Sequence, residues 1–209
     1  MNNFEKKIET LIDKLKEFES EKDVFNPWKD TDKTDNLSTD APSVRRQNLK
    51  KYLTEHKKAK YILLAESPSY GCHYTGIAMT SEDVMQKYPA IFKGYKTTSI
   101  DGNKKEKTAS IVWDVINKNE KNFVLWNTFV LQTYKANFSP RKPNAKELKS
   151  GLEILQYFLT MFPDSKIISV GKTAQNTLLK YNLCKDTIYV RHPSCGGENI
   201  FRLQMKEIL

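Results

Sequence analysis

Phe4, Ile8, Leu11, Ile12, Leu15 and Phe18 recur at three- and four-residue steps, the spacing of one apolar face of a helix. That pattern predicts an amphipathic helix over residues 3–21. Between 24 and 42 the stretch FNPWKDTDKTDNLSTDAP is too rich in Pro, Asp, Asn and Ser for a core element. It reads as a long loop anchored by Trp28. A second helical pattern, SVRRQNLKKYLTEHKKAK, sets Val44, Leu49 and Leu53 on one side and Arg45, Arg46, Lys50, Lys51, Lys57 and Lys58 elsewhere. Residues 45–60 hold seven bases against one acid, which a solvated face and a phosphate contact explain equally well.

The next pattern is different in kind. YILLA (61–65), FVLWNTF (123–129), KIISVG (166–171) and TIYV (187–190) are short β-branched or aromatic runs without strict alternation, as strands covered on both faces should be. Helical patterns at 147–162 and 172–182 lie between them. Alternating strands and helices imply right-handed crossovers and a parallel sheet. The expected fold is a three-layer α/β/α sandwich with a central, mainly parallel, four-stranded sheet over 43–209, on which an N-terminal helix and loop (1–42) pack. A chain of 209 residues is long enough for such a core.

Composition changes this picture in three places. No apolar run approaches the ~18 residues of a membrane span, and the mixed charges of MNNFEKKIETLIDKLKEF do not form a signal peptide; a cytoplasmic protein is expected. Cys72, Cys184 and Cys195 form no CxxC pair, so neither a disulfide framework nor a cysteine-ligated metal is expected. Lys and Arg outnumber Asp and Glu by 34 to 25, a net charge of +9. That balance favours an anionic partner, nucleic acid first, although lysine serving solubility gives the same total.

In an open parallel sheet, ligands bind beyond the carboxyl ends of the strands. Here those ends carry Glu66, Asn127, Gly171 and the pair Arg191–His192: a carboxylate, a carboxamide, a glycine turn and an imidazole, able together to read a flat heterocycle and manage a water or a proton. Taken singly, each has a plainer use, as a loop cap, a turn residue or a structural histidine. Cys72 beside His73 would be a nucleophile only in a setting that lowers its pKa. No GxxxxGK[ST] phosphate loop occurs, which disfavours an NTPase.

Taken together, AESPS (65–69), LWNTF (125–129), SPRKPNAKEL (139–148), SVGKTAQNTL (169–178) and RHPSCGG (191–197) resemble, in order and spacing from about Asn26 onward, the uracil-DNA glycosylase superfamily. The resemblance is to its Gly-Glu-Ala-Pro-Gly type, without the iron–sulfur cysteines. It implies catalysis by Glu66, which positions the attacking water, and by His192, which donates toward the pyrimidine O2. Asn127 would read the base edge, and Met79, Tyr70, Pro68 and Ser69 would shape the base pocket. Arg141, Arg191, Ser194 and Arg202 would meet DNA, with Ile200 or Phe201 as an inserting wedge.

The resemblance therefore implies a monofunctional glycosylase that hydrolyses the N-glycosidic bond of a flipped-out uracil or modified pyrimidine, such as a bulky modified cytosine of phage DNA. Its partner would be single- or double-stranded DNA, with no cofactor, metal or membrane, and the protein would act as a monomer. Two departures stand out. The motif's flanking glycines are Ala65 and Ser69 here, and Met79 of GIAMT replaces the Phe that stacks on uracil in relatives. A non-catalytic DNA-binding relative and a small-molecule nucleoside hydrolase stay open as alternatives.

Overall fold

The computed structural model describes residues 2–36, 39–135, 139–184 and 186–209. Asn2 and Glu5 cap each other's backbone N–H at the start of α1 (Asn3–Glu17), which satisfies two donors a helix start leaves open. Ile8, Leu11, Ile12 and Leu15 are its buried face. The helix stops at Glu17 rather than 21 because Asn26 Nδ2 donates to the carbonyls of Leu15 (2.7 Å) and Phe18 (3.0 Å). Those bonds satisfy carbonyls that another turn of helix would have used.

The predicted loop after α1 contains a strand, β1 (Val24–Phe25), paired antiparallel with Gln132–Thr133. Two residues carry no periodicity, so this ladder has no sequence signature. Trp28 does anchor the segment, at 4% exposure.

Next come α2 (Ala41–Glu55), β2 (Tyr61–Ala65), the short helices α3 (Tyr70–His73) and α4 (Glu82–Lys87), and α5 (Lys107–Ile116). The order is completed by β3 (Phe123–Asn127), β4 (Gln132–Thr133), α6 (Ala145–Ser150), α7 (Leu152–Met161), β5 (Lys166–Val170), α8 (Lys172–Lys180), β6 (Thr187–Val190) and α9 (Glu198–Ile208).

The central sheet runs β3-β2-β5-β6, every pair parallel, and helices flank it as the alternating pattern required. Register sets Ala65 beside Asn127 and Val170 beside Val190, so the carboxyl ends form one edge. The third strand ends at Asn127, short of 129. There the Thr128 N–H turns to the Ala65 carbonyl (2.8 Å) and the Phe129 N–H to the Glu66 carbonyl (3.0 Å). On the outer edge of β3, the Leu125 N–H donates to the Tyr52 hydroxyl of α2 at 2.8 Å, which covers an otherwise open strand edge.

Two expectations change. The helix over 147–162 is broken at Gly151, where a Cβ would lie 2.9 Å from the Phe129 ring; only glycine lets the chain pass that close. Arg45, grouped with the basic face of the second helix, is wholly buried. Its guanidinium pairs with Asp35 and donates to Thr98 Oγ1 and to the carbonyls of Pro27 and Asp30. It clamps the 26–35 segment onto α2 and is out of reach of any phosphate.

Candidate functional site

The carboxyl edge of the sheet opens into a cleft of about 340 Å³. Glu66 to Ser69, leaving β2, form one wall, and His192 and Ser194, leaving β6, face into the same space. Met79, Glu106 and Lys142 line the remainder. Glu66 is held through its backbone: its carbonyl accepts from Phe129 N–H and from Thr128 Oγ1 (2.8 Å). The carboxylate itself makes no hydrogen bond or ion pair among the described residues, which leaves both oxygens for a water.

His192 is fixed differently. Gly171, at φ +84°, ends β5, and a Cβ there would lie 2.9 Å from the His192 Cβ. A positive φ and this close approach both call for glycine. The Ser194 N–H donates to His192 Nδ1 at 3.1 Å, and Ser194 Oγ lies 2.8 Å from the same atom. A backbone N–H can only donate, so Nδ1 is the unprotonated nitrogen and the neutral ring carries its hydrogen on Nε2. Burial, then the charges of Arg191 and Lys142, lower the pKa below 6.5. At neutral pH the ring is therefore an uncharged donor.

Asn127 does not line this cleft. It borders a separate void of about 10 Å³ with Trp28, His73 and Trp126, and the two spaces share Pro68 and Cys72 as a common wall. Four residues that line this void each carry a buried polar atom without a partner among the described residues: Trp28 Nε1, Trp126 Nε1, His73 Nε2 and Asn127 Oδ1. His73 is held neutral, its pKa pushed down to about 3 chiefly by burial and next by the Arg45 charge. With Gln132 Oε1 2.5 Å from Nδ1, the proton sits on Nδ1 and Nε2 accepts. The residues lining the void thus carry two indole donors and two acceptors.

Several expected roles shift. Pro68, Ser69 and Met79 line the cleft, the last in a left-handed backbone at φ +48°, with its carbonyl accepting from Trp113 Nε1 at 3.1 Å. Tyr70 is turned away: it faces a different hollow with Phe25 and Asp32, and its hydroxyl accepts from Tyr74 at 2.6 Å. The single turn of α3 points Cys72 toward the cleft and Tyr70 to the far side.

Arg141 reaches the cleft rim, but its guanidinium forms a two-pronged pair with Glu147 (2.8 and 2.5 Å), so a phosphate would have to displace a carboxylate. Arg202 is similarly paired with Glu198 at 3.0 Å and Asp114 at 3.5 Å. The Arg191 side chain has no ion pair among the described residues. Phe201 is wholly buried in the core, while Ile200 is 50% exposed; of the two wedge candidates, only Ile200 reaches solvent. Cys72 is buried with its thiol pushed well above its ordinary range, by burial first and then by Glu106, the opposite of an activated nucleophile.

Sequence reasoning passed over Lys142, Glu106 and Trp126, whereas His73, a polar aromatic of the SYGCHYTG loop expected to form or fill the pocket wall, does line the void. Lys142 lies inside the SPRKPN segment, and its cleft position could have been read from that motif. Glu106 caps α5 with both oxygens, accepting from Thr108 N–H (3.0 Å) and Ala109 N–H (2.5 Å). No spacing in the sequence links it to strands far away along the chain.

A three-layer α/β chain with its cleft at the carboxyl edge of a parallel sheet defines the class of fold. Among solved structures, the chain is similar to the crystal structure of wild-type SMUG2 from Pedobacter heparinus. The TM-score is 0.64 over 100% of this chain and 96% of that one. At 16% identity the likeness is one of fold. No protein-family model and no curated protein matches the sequence.

Proposed function

We propose that the protein is a monofunctional DNA glycosylase that hydrolyses the N-glycosidic bond of a flipped-out uracil or modified pyrimidine. One observation carries this reading: an unpaired carboxylate, Glu66, and a neutral imidazole with Nε2–H, His192, share one cleft. The fold likeness to SMUG2, a uracil-DNA glycosylase family member, supports it.

Breaking the bond builds positive charge on the sugar and negative charge on the departing base. Glu66 holds the attacking water and stabilises the cationic sugar. His192 Nε2–H donates to the base oxygen where negative charge collects, and preorganised donors of this kind matter most in a site shielded from water. No proton transfer from the ring is needed, because the neutral tautomer already presents its hydrogen. The Lys142 cation favours the same anionic leaving group.

A base cannot occupy a void of about 10 Å³, so reaching Asn127 requires the shared wall at Pro68 and Cys72 to move, a local closure step of a common kind. The polarity of the void supports the modified-pyrimidine branch. Residues with unmet donors (Trp28, Trp126) and acceptors (His73, Asn127) line it, a lining that suits a hydroxyl substituent better than a methyl group, because an unmet buried polar group costs about 1–3 kcal/mol.

Abasic-site formation on matched oligonucleotides tests the reading. Strands carrying uracil, thymine or a hydroxymethylated cytosine should give product from uracil or the hydroxyl-bearing base and none from thymine. Tight DNA binding without abasic product from any of them would favour a non-catalytic DNA-binding protein.

A further inference from the structure

At the opposite end of the sheet lies a second concave surface, about 500 Å³, formed where β2 and β5 begin. Lys57, Lys58, Lys60 and Lys166 line it, against one carboxylate, Asp164. All four lysines are exposed, and none makes an ion pair among the described residues. Other lysines also lack an ion pair, but these four are gathered on one concave surface, whereas Lys14, Lys29, Lys50, Lys51, Lys87 and Lys104 are each held by an acid.

The plain explanation is that lysines here offset helix ends. α2 and α7 both finish at this surface, capped at His56 and Phe162, and each helix end carries about half a negative charge. Those two ends plus Asp164 amount to about −2 against four ammonium groups. A surplus of about two positive charges remains in a concave surface, enough to concentrate a polyanion.

We propose that this groove binds the sugar–phosphate backbone of a second duplex DNA segment, separate from the one at the catalytic cleft. Tyr61 and Lys166 are register partners at the start of the sheet, whereas Glu66 follows its end. The four steps from Tyr61 to Ala65 put ~13 Å of strand between them, and the two concavities face opposite ways. Duplex DNA, with a persistence length of ~150 base pairs, cannot bend around a 24.2 kDa domain to fill both. A groove at this end therefore takes another segment, and the protein tethers one stretch of DNA while its cleft samples another.

The test uses the full chain and two sets of short duplexes carrying donor and acceptor fluorophores. Wild type should bring them together and raise energy transfer. The triple variant K57E/K60E/K166E, checked for an unchanged melting temperature, should lose transfer while keeping its yield of abasic product or, if no base is excised, its binding of a single duplex. Removing three phosphate contacts should also lower the salt-dependence slope of the second binding event by about 3. Saturation of wild type at one duplex with no transfer would overturn the proposal. So would undiminished transfer by the triple variant, or capture of anionic lipid vesicles by wild type without any bridging of DNA.

Discussion

At Gly171 the backbone stands at φ +84° with the His192 side chain packed where a Cβ would go. Gly171→Ala is expected to cost about 1–3 kcal/mol in backbone strain and to slow excision by displacing His192, while DNA binding persists. Chemical denaturation paired with single-turnover kinetics checks this; wild-type excision by the variant would contradict the role given to the glycine. Glu66 and His192 were legible because parallel strands deliver their next residues to one edge. Arginine roles were not, since the partner acid decides them: Arg141 finds Glu147 six positions on, but Arg202 also finds Asp114 eighty-eight positions away. Phe201 was readable in principle, for it and Met205 form the buried face of α9.

Among elements, α2 and the segment before it depend on the Arg45–Asp35 pair, whose side chains are 0% and 4% exposed. Removing one partner of a buried pair strands the other charge, at about 3–5 kcal/mol. Asp35→Asn should lower the urea midpoint accordingly, and Asp35→Leu combined with Arg45→Met should recover much of the loss; an unchanged midpoint in the single variant would deny the clamp. The sheet and its helices followed from runs of apolar residues. What escaped was set by contacts distant in sequence: the two-residue β1–β4 ladder, the break at Gly151 under Phe129, and the early end of α1 at Asn26.

For the molecule as a whole, acid stability is tied to its histidines. His56 is pushed down to about 4 and His73 to about 3, in both cases chiefly by burial, and His192 is lowered too. Unfolding exposes each to its ordinary pKa near 6.5, so the unfolded chain binds more protons below that pH and stability falls as the solution is acidified. For His56 and His73 the loss is about 3 kcal/mol each by pH 4. Denaturation midpoints should decline steadily from pH 6.5 to 4, and His56→Gln should flatten the decline; a level profile would show that these rings are not held neutral. No helix among the described residues is long and apolar enough to cross a membrane. The net charge of +9 was plain in the sequence, but its unpaired concentration at the amino-terminal edge of the sheet emerges only when Lys60 and Lys166 come side by side.

The account rests on Glu66 and His192 acting together at one glycosidic bond, and single-turnover excision by Glu66→Gln and His192→Gln tests that most directly. Each should slow abasic-site formation by about 10²–10³-fold, as loss of one preorganised group does, with DNA affinity intact. Excision near the wild-type rate by either variant would contradict the account.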